Sequence, residues 1–182
     1  MINAKPLAAL LACALALAAA TTLAAPAHIA LAPGGELLMP TPDGWVAAQD
    51  PEAKLPSLRI RPATGKDFEM EVTPVLEADG STGVLDPAKL RPFVEDQAKS
   101  IKTRSVEQDL PVVELKSPTV VGYYFSATDR TPAPGEFTQV TQGVVAVGNV
   151  PVTFTILYND KGGPVLAAAL KMLRGTHKVV PK

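Results

Sequence analysis

Apolar and polar residues take turns along two short stretches in the first half of the chain. In SLRIRPA, Leu58 and Ile60 fall on one side and Arg59 and Arg61 on the other. In DFEMEVTPVL, Phe68, Met70 and Val72 are separated by Glu69, Glu71 and Thr73. Successive side chains of an extended strand point to opposite faces, so a period of two predicts strands buried on one side only. TGKD, Thr64 to Asp67, predicts a hairpin turn between them. The outward Arg59, Arg61, Glu69 and Glu71 then pair across the strands, each exposed pair contributing about 0.2–1 kcal/mol. Upstream, Glu36 to Met39 predicts a short strand. Pro40, Pro42 and Asp43-Gly44 predict the turn after it, with Trp45 landing just beyond at the edge of the core.

The period lengthens after Asp86-Pro87. Leu90, Phe93, Val94, Ala98 and Ile101 form one apolar stripe, while Glu95, Asp96, Lys99, Lys102 and Arg104 take the other side. Asp86 suits the N-cap and Pro87 the first turn, so a helix is expected from there to about Arg104. Pro92 removes a backbone donor, so the regular helix begins near Arg91 or kinks at that point. Strand patterns return at Pro111 to Lys116, Thr119 to Arg130, Phe137 to Gly148 and Val152 to Asn159, divided by PAPGE and by Gly148-Asn149. Short turns between consecutive strands predict an antiparallel meander. Val165, Leu166, Ala169, Leu170 and Leu173 predict a closing helix ended by Gly175. The fold class that follows is α+β: an antiparallel sheet of about six to seven strands with two helices packed on it.

The two ends differ from this body. Met1 to Lys5 carry one positive charge, Pro6 to Ala20 are almost all Leu and Ala, and Ala25 and Ala27 supply an A-x-A cleavage pattern. Residues 1–27 therefore read as a secretory signal peptide, cut after Ala27, and the protein as periplasmic. LLAC, ending at Cys13, loosely resembles a lipobox, but the apolar run continues past it through Ala20, which argues against a lipid anchor there. Residues 28–35 read as a flexible leader, 36–174 as a single domain, and 175–182 as a mobile basic tail.

Removing 27 of 182 residues leaves 155, enough for one domain with its own core. That chain has no Cys, which excludes disulfides and thiol chemistry. It keeps 16 of 17 basic residues against 18 acidic ones, a net charge of −2, so no strong field draws it to nucleic acid or anionic lipid. No later apolar run approaches the length of a membrane span.

Candidate chemistry is sparse. His28 and His177 lie near the two ends of the mature chain, in segments that read as loose, whereas a hydrolytic nucleophile needs a base held within hydrogen-bond reach. DGSTG lacks the strand-turn-helix setting of a nucleophile elbow, and clustered zinc ligands are missing. His28, as a new N-terminus, would offer an α-amine and an imidazole to Cu²⁺, but a further metal-binding residue nearby is lacking, and a disordered terminus is the better reading. Glu77, Asp79, Ser81 and Asp86 share a loop but depart from the calcium-loop pattern. Glu69 and Glu71 share a strand face, the placement that paired glycosidase carboxylates need, but alternation with Phe68 and Met70 is what a wet sheet face shows, and that reading is the stronger. No cofactor is implied.

What remains favours binding. Asp129-Arg130 sits where a strand meets the Pro-rich turn, with Glu136 across it, either as an ion pair pinning a hairpin or as a recognition loop. Tyr123 and Phe125 point one way and Tyr124 the other, so at least one aromatic is expected near the surface. Tyr124, Asp129, Arg130, Glu136 and Trp45 form the candidate partner-binding surface.

PDGW at Pro42 to Trp45, the Asp86-Pro87 helix, the run GYYFSATDR…GEFTQVTQGVVAVGNVPVTFTILYN and the short closing helix resemble the Mog1/PsbP-like fold, over roughly Glu36 to Leu173. The resemblance implies an antiparallel sheet between helices and a mostly non-enzymatic role. Members bind a partner protein, stabilise a complex or act as adaptors. With the export signal, this yields the expectation of a periplasmic binding or accessory protein for an envelope protein partner. A carboxylate-based enzyme and a lipid-anchored envelope component are the alternatives.

Overall fold

A computed structural model describes residues 25–31, 34–49, 55–77, 81, 86–159 and 163–180. The signal segment through residue 24, Cys13 and Asp79 lie outside them.

The alternating stretches are strands, as their period requires. β4 (Leu58–Pro62) and β5 (Phe68–Pro74) pair antiparallel, with Leu58, Ile60, Phe68, Met70 and Val72 buried. β6 (Val113–Lys116), β7 (Val120–Thr128), β8 (Gln139–Val147) and β9 (Val150–Tyr158) follow as an antiparallel meander. β9 then returns to pair with β5. With β3 (Trp45–Gln49) beside β4, the order is β3-β4-β5-β9-β8-β7-β6.

α1 (Pro87–Lys102) starts where Asp86 Oδ1 accepts the Ala88 N–H at 2.9 Å. It is continuous through Pro92, whose missing N–H forfeits the bond to the carbonyl four residues back. Leu90, Val94 and Ala98 bury against β7 and β8, where Phe125, Ala127, Val144 and Ala146 meet them. Phe93, expected in the apolar stripe, is 44% exposed on the helix flank.

The opposite sheet face holds the larger core. α2 (Gly163–Gly175) covers part of it with Ala169, Leu170, Met172 and Leu173. A second sheet covers the rest: β1 (Ala27–Leu31), β2 (Gly35–Met39) and β10 (His177–Val179), ordered β1-β2-β10, with Ile29, Leu31, Leu37 and Met39 buried.

This second sheet revises two readings of the ends. Residues 28–35 are not a loose leader, because Ala27–Leu31 pairs along the whole of β2 and alternates buried and exposed. The tail is anchored too. His177, Lys178 and Val179 pair with the other edge of β2, and the buried Thr176 hydroxyl donates to the Met172 carbonyl at 3.0 Å. Both segments are too short to reveal a period on their own, and their partner lies up to some 140 residues away in sequence. The folded body therefore extends beyond 36–174 at both ends.

Candidate binding groove

Helix α1 runs mainly over β7 and β8. On that side of the sheet, β9, β5, β4 and β3 have no described helix above them. With Leu90, Val94 and Ala98 turned inward, helical geometry places Phe93, Gln97, Ser100 and Arg104 on the flank that overlooks this open area.

Where the last turn of α1 meets β8 and β9, the surface sinks into a cleft of about 390 Å³. Ile101, Phe137 and Leu157 supply apolar wall, and Gln142, Thr138 and Thr155 supply polar groups. The sheet register explains the floor: Gln142 stands directly opposite Thr155, and Val140 opposite Leu157. Gln142 Nε2 donates to Thr155 Oγ1 at 3.2 Å, while its Oε1 is buried and has no hydrogen-bond partner among the described residues. A buried unsatisfied carbonyl costs about 1–3 kcal/mol, so the amide is held in place at some expense to the fold.

The rim is charged. Asp129 Oδ2 pairs with Arg104 Nη2 at 3.3 Å, and its Oδ1 accepts the Thr131 N–H at 2.9 Å. Arg130 Nη2 donates to the Ser105 carbonyl at 2.6 Å, and its own N–H to the Arg104 carbonyl at 2.9 Å. The Asp129-Arg130 pair thus ties the strand end to the exit of α1. It does not pin the hairpin against Glu136, which instead accepts the Ala133 N–H at 3.1 Å within its own turn.

Beneath this rim, Glu107 holds the segment that leaves α1. Burial pushes its carboxyl up. The hydroxyls of Ser105 and Thr128 and the N–H groups of Thr128 and of Glu107 itself all donate in that neighbourhood and more than reverse the effect, bringing it down to about 2. A carboxylate held this firmly ionised is an anchor and a poor proton carrier at neutral pH.

The other candidates fall elsewhere. Trp45 opens β3 and meets the Phe68 ring edge-on, with centroids 5.1 Å apart at 77°, on the larger-core side. Tyr124 is half-buried against that same core. Tyr123 turns the other way, under Arg91, whose guanidinium carbon lies 5.8 Å from the ring centroid. Asp129 and Arg130 share the groove rim, Glu136 sits on the neighbouring turn, and Trp45 and Tyr124 belong to the opposite face. The five do not form one surface.

Glu69 is joined to Arg59 at 3.4 Å, and Glu71 stands opposite Arg59 on the wet sheet face. His28 and His177 both stand opposite Leu38, on either side of β2. His28 Nδ1 contacts Glu36 Oε2 at 2.9 Å. Of the acidic loop residues, Asp86 is occupied as the cap of α1, and the Glu77 N–H donates to the Ser81 carbonyl at 2.8 Å. Among the described residues, no three His, Cys, Asp or Glu side chains are placed to hold a metal ion.

Gln142, Thr155 and Leu157 were not singled out from the sequence. In the structure they lie on the sheet face that α1 partly covers. Nothing local marked where α1 stops covering that face.

No family model and no curated protein matches the chain. Among solved structures it is similar to a Bacteroides thetaiotaomicron protein, at TM-score 0.52 and 10% identity, over 79% of this chain and 45% of that one. It therefore spans less than half of that protein's length. It is also similar to CyanoP, the cyanobacterial PsbP of Synechocystis sp. PCC 6803, at TM-score 0.49 and 13% identity, over 79% and 86% of the two chains. At these identities the likeness is one of fold alone. No described helix is long and apolar enough to cross a membrane.

Proposed function

We propose that this is an exported, non-enzymatic binding or accessory protein that associates with a protein partner in the cell envelope. The observation that carries the reading is the half-covered sheet face. One helix flank, an adjoining cleft and the strand residues Thr153, Thr155 and Leu157 leave apolar and hydrogen-bonding groups interleaved and partly exposed. Interfaces that hold other proteins combine apolar contacts with hydrogen bonds in this way. The export reading rests on residues 1–27. A cut after Ala27 leaves β1 starting at His28, with its two buried anchors Ile29 and Leu31 retained.

The test is capture from an envelope extract by the mature protein and by a Leu157→Arg variant of unchanged melting temperature. A specific protein held by the wild type and lost by the variant supports the reading. Identical recovery on both, or nothing above background, sinks it. Intact mass of the protein from fractionated cells checks export and the cleavage site: a chain starting at His28 in the periplasmic fraction is expected, a lipidated chain starting at Cys13 contradicts the cut after Ala27, and an uncleaved cytoplasmic chain contradicts export.

A further inference from the structure

The large sheet has two outer edges, and they are built differently. At one edge lies β6, where Glu114 and Lys116 are exposed. At the other lies β3, with the sequence WVAAQ. It carries no charge and no proline, and four of its five residues are exposed, Val46 at 43%. β4 pairs with its inner edge, and no described strand pairs with its outer one. An open strand edge presents a row of unpaired N–H and C=O groups, and proteins that keep such an edge vacant guard it with charges, prolines or bulges. β6 is guarded by charge and β3 is not. Next to it, Arg61 stands opposite Val46, so the two side chains share a face. Arg61 is exposed and has no ion pair among the described residues.

We propose that β3 is a strand-addition edge, on which an extended segment of the partner protein pairs as an eighth strand and sets an acidic side chain beside Arg61. This rests on the binding reading above and names how part of the partner is held. The size of the edge selects the occupant. Five residues span about 17 Å and bury a few hundred Å², well below the roughly 1,200–2,000 Å² of a stable interface between two folded proteins. A second copy of this chain is therefore poorly held by β3 alone. A short extended segment is suited to it, because main-chain hydrogen bonds supply most of its affinity. Charge selects the side chain. Strands lie about 4.8 Å apart, so an added strand stands about 10 Å from β4, within the combined reach of an arginine and a glutamate.

The probes are three blocked eight-residue Thr/Val peptides with a central Glu, Gln or Lys, titrated into the purified ¹⁵N-labelled mature protein. The Glu peptide is expected to shift the amides of β3 and β4 and to bind about threefold to fivefold tighter than the Lys peptide. Arg61→Glu is expected to reverse that order. Neighbouring residues of a strand turn their N–H groups to opposite sides. One of Ala47→Pro and Ala48→Pro therefore removes an outward donor and leaves the β4 ladder intact. The variant that melts like the wild type is expected to lose peptide binding at least tenfold. Should both prolines unfold the protein, the Arg61→Glu reversal still decides. Binding of none of the peptides overturns the proposal, as does equal binding of all three. Shifts confined to Gln142 and Thr155 also overturn it while leaving the groove reading standing. A concentration-dependent dimer in sedimentation, abolished by the tolerated proline, assigns the edge to a second copy and overturns it as well.

Discussion

Glu107 is the residue on which most local order converges. It receives both polar hydrogens of Thr128 and the Ser105 hydroxyl, and so fastens the exit of α1 to the end of β7. Its folded-state value, near 2, lies below that of the unfolded chain, so the unfolded state binds more protons between the two values. Stability from this group is fully present above about pH 4.5 and drains away as pH falls toward 2. The whole effect is at most about 3 kcal/mol. Glu107→Gln puts an amide donor where only acceptors fit. It is expected to cost about 1–3 kcal/mol at pH 7 and to flatten the acid limb of a stability-against-pH curve. A parallel acid limb in wild type and variant would show that the carboxylate is not the anchor described. Gly143 makes a second residue-scale prediction. A Cβ there would stand 2.7 Å from both the Phe154 ring and the Tyr124 Cβ. Gly143→Ala should therefore lower stability by about 1–3 kcal/mol in urea melts, although alanine is the better strand residue on backbone entropy.

Among the elements, α1 does two jobs with two faces. Its inward stripe closes the smaller core and its flank borders the groove, so damage to the helix and damage to binding are separable. Asp86→Ala removes the cap on the Ala88 N–H and should cost about 1 kcal/mol while leaving the groove chemistry untouched. Leu90→Ala empties a fully buried site against β7 and should cost about 2–5 kcal/mol. Thermal melts of the two variants rank them, and comparable losses would mean that α1 is not held by its inward stripe. The helix, its cap and its strand neighbours were legible in the sequence because their periods are local. β3 was not. WVAAQ alternates nothing, since both of its faces are largely exposed and it is held only by pairing with β4.

For the molecule as a whole, the second sheet joins Ala27–Leu31 and His177–Val179 over one core face. Thr119 Oγ1 donates to the Thr176 carbonyl at 3.0 Å, and Ser117 Oγ to the Arg174 carbonyl at 2.7 Å, so the segment leading into β10 is also tied to the large sheet. A chain ending at Gly175 loses β10, the buried Thr176 and one edge of β2. It should be less stable by roughly 2–3 kcal/mol, which for a body of this size lowers the melting temperature by about 4–12 °C. An unchanged melting temperature would return the tail to the mobile role that its short basic sequence first implied.

By itself the sequence determined the local elements. Periods of two and of 3.6, a capping Asp, and turns marked by Gly and Pro are set by contacts within a few residues, so the meander, both helices and the α+β class could be read directly. Tertiary structure alone decided three other matters: that Ala27–Leu31 and His177–Val179 become strands on one shared neighbour, that Asp129 and Arg130 fasten a helix exit, and that no described helix covers half of one sheet face. Each depends on which distant segments pack together, and no local spacing of side chains encodes that choice.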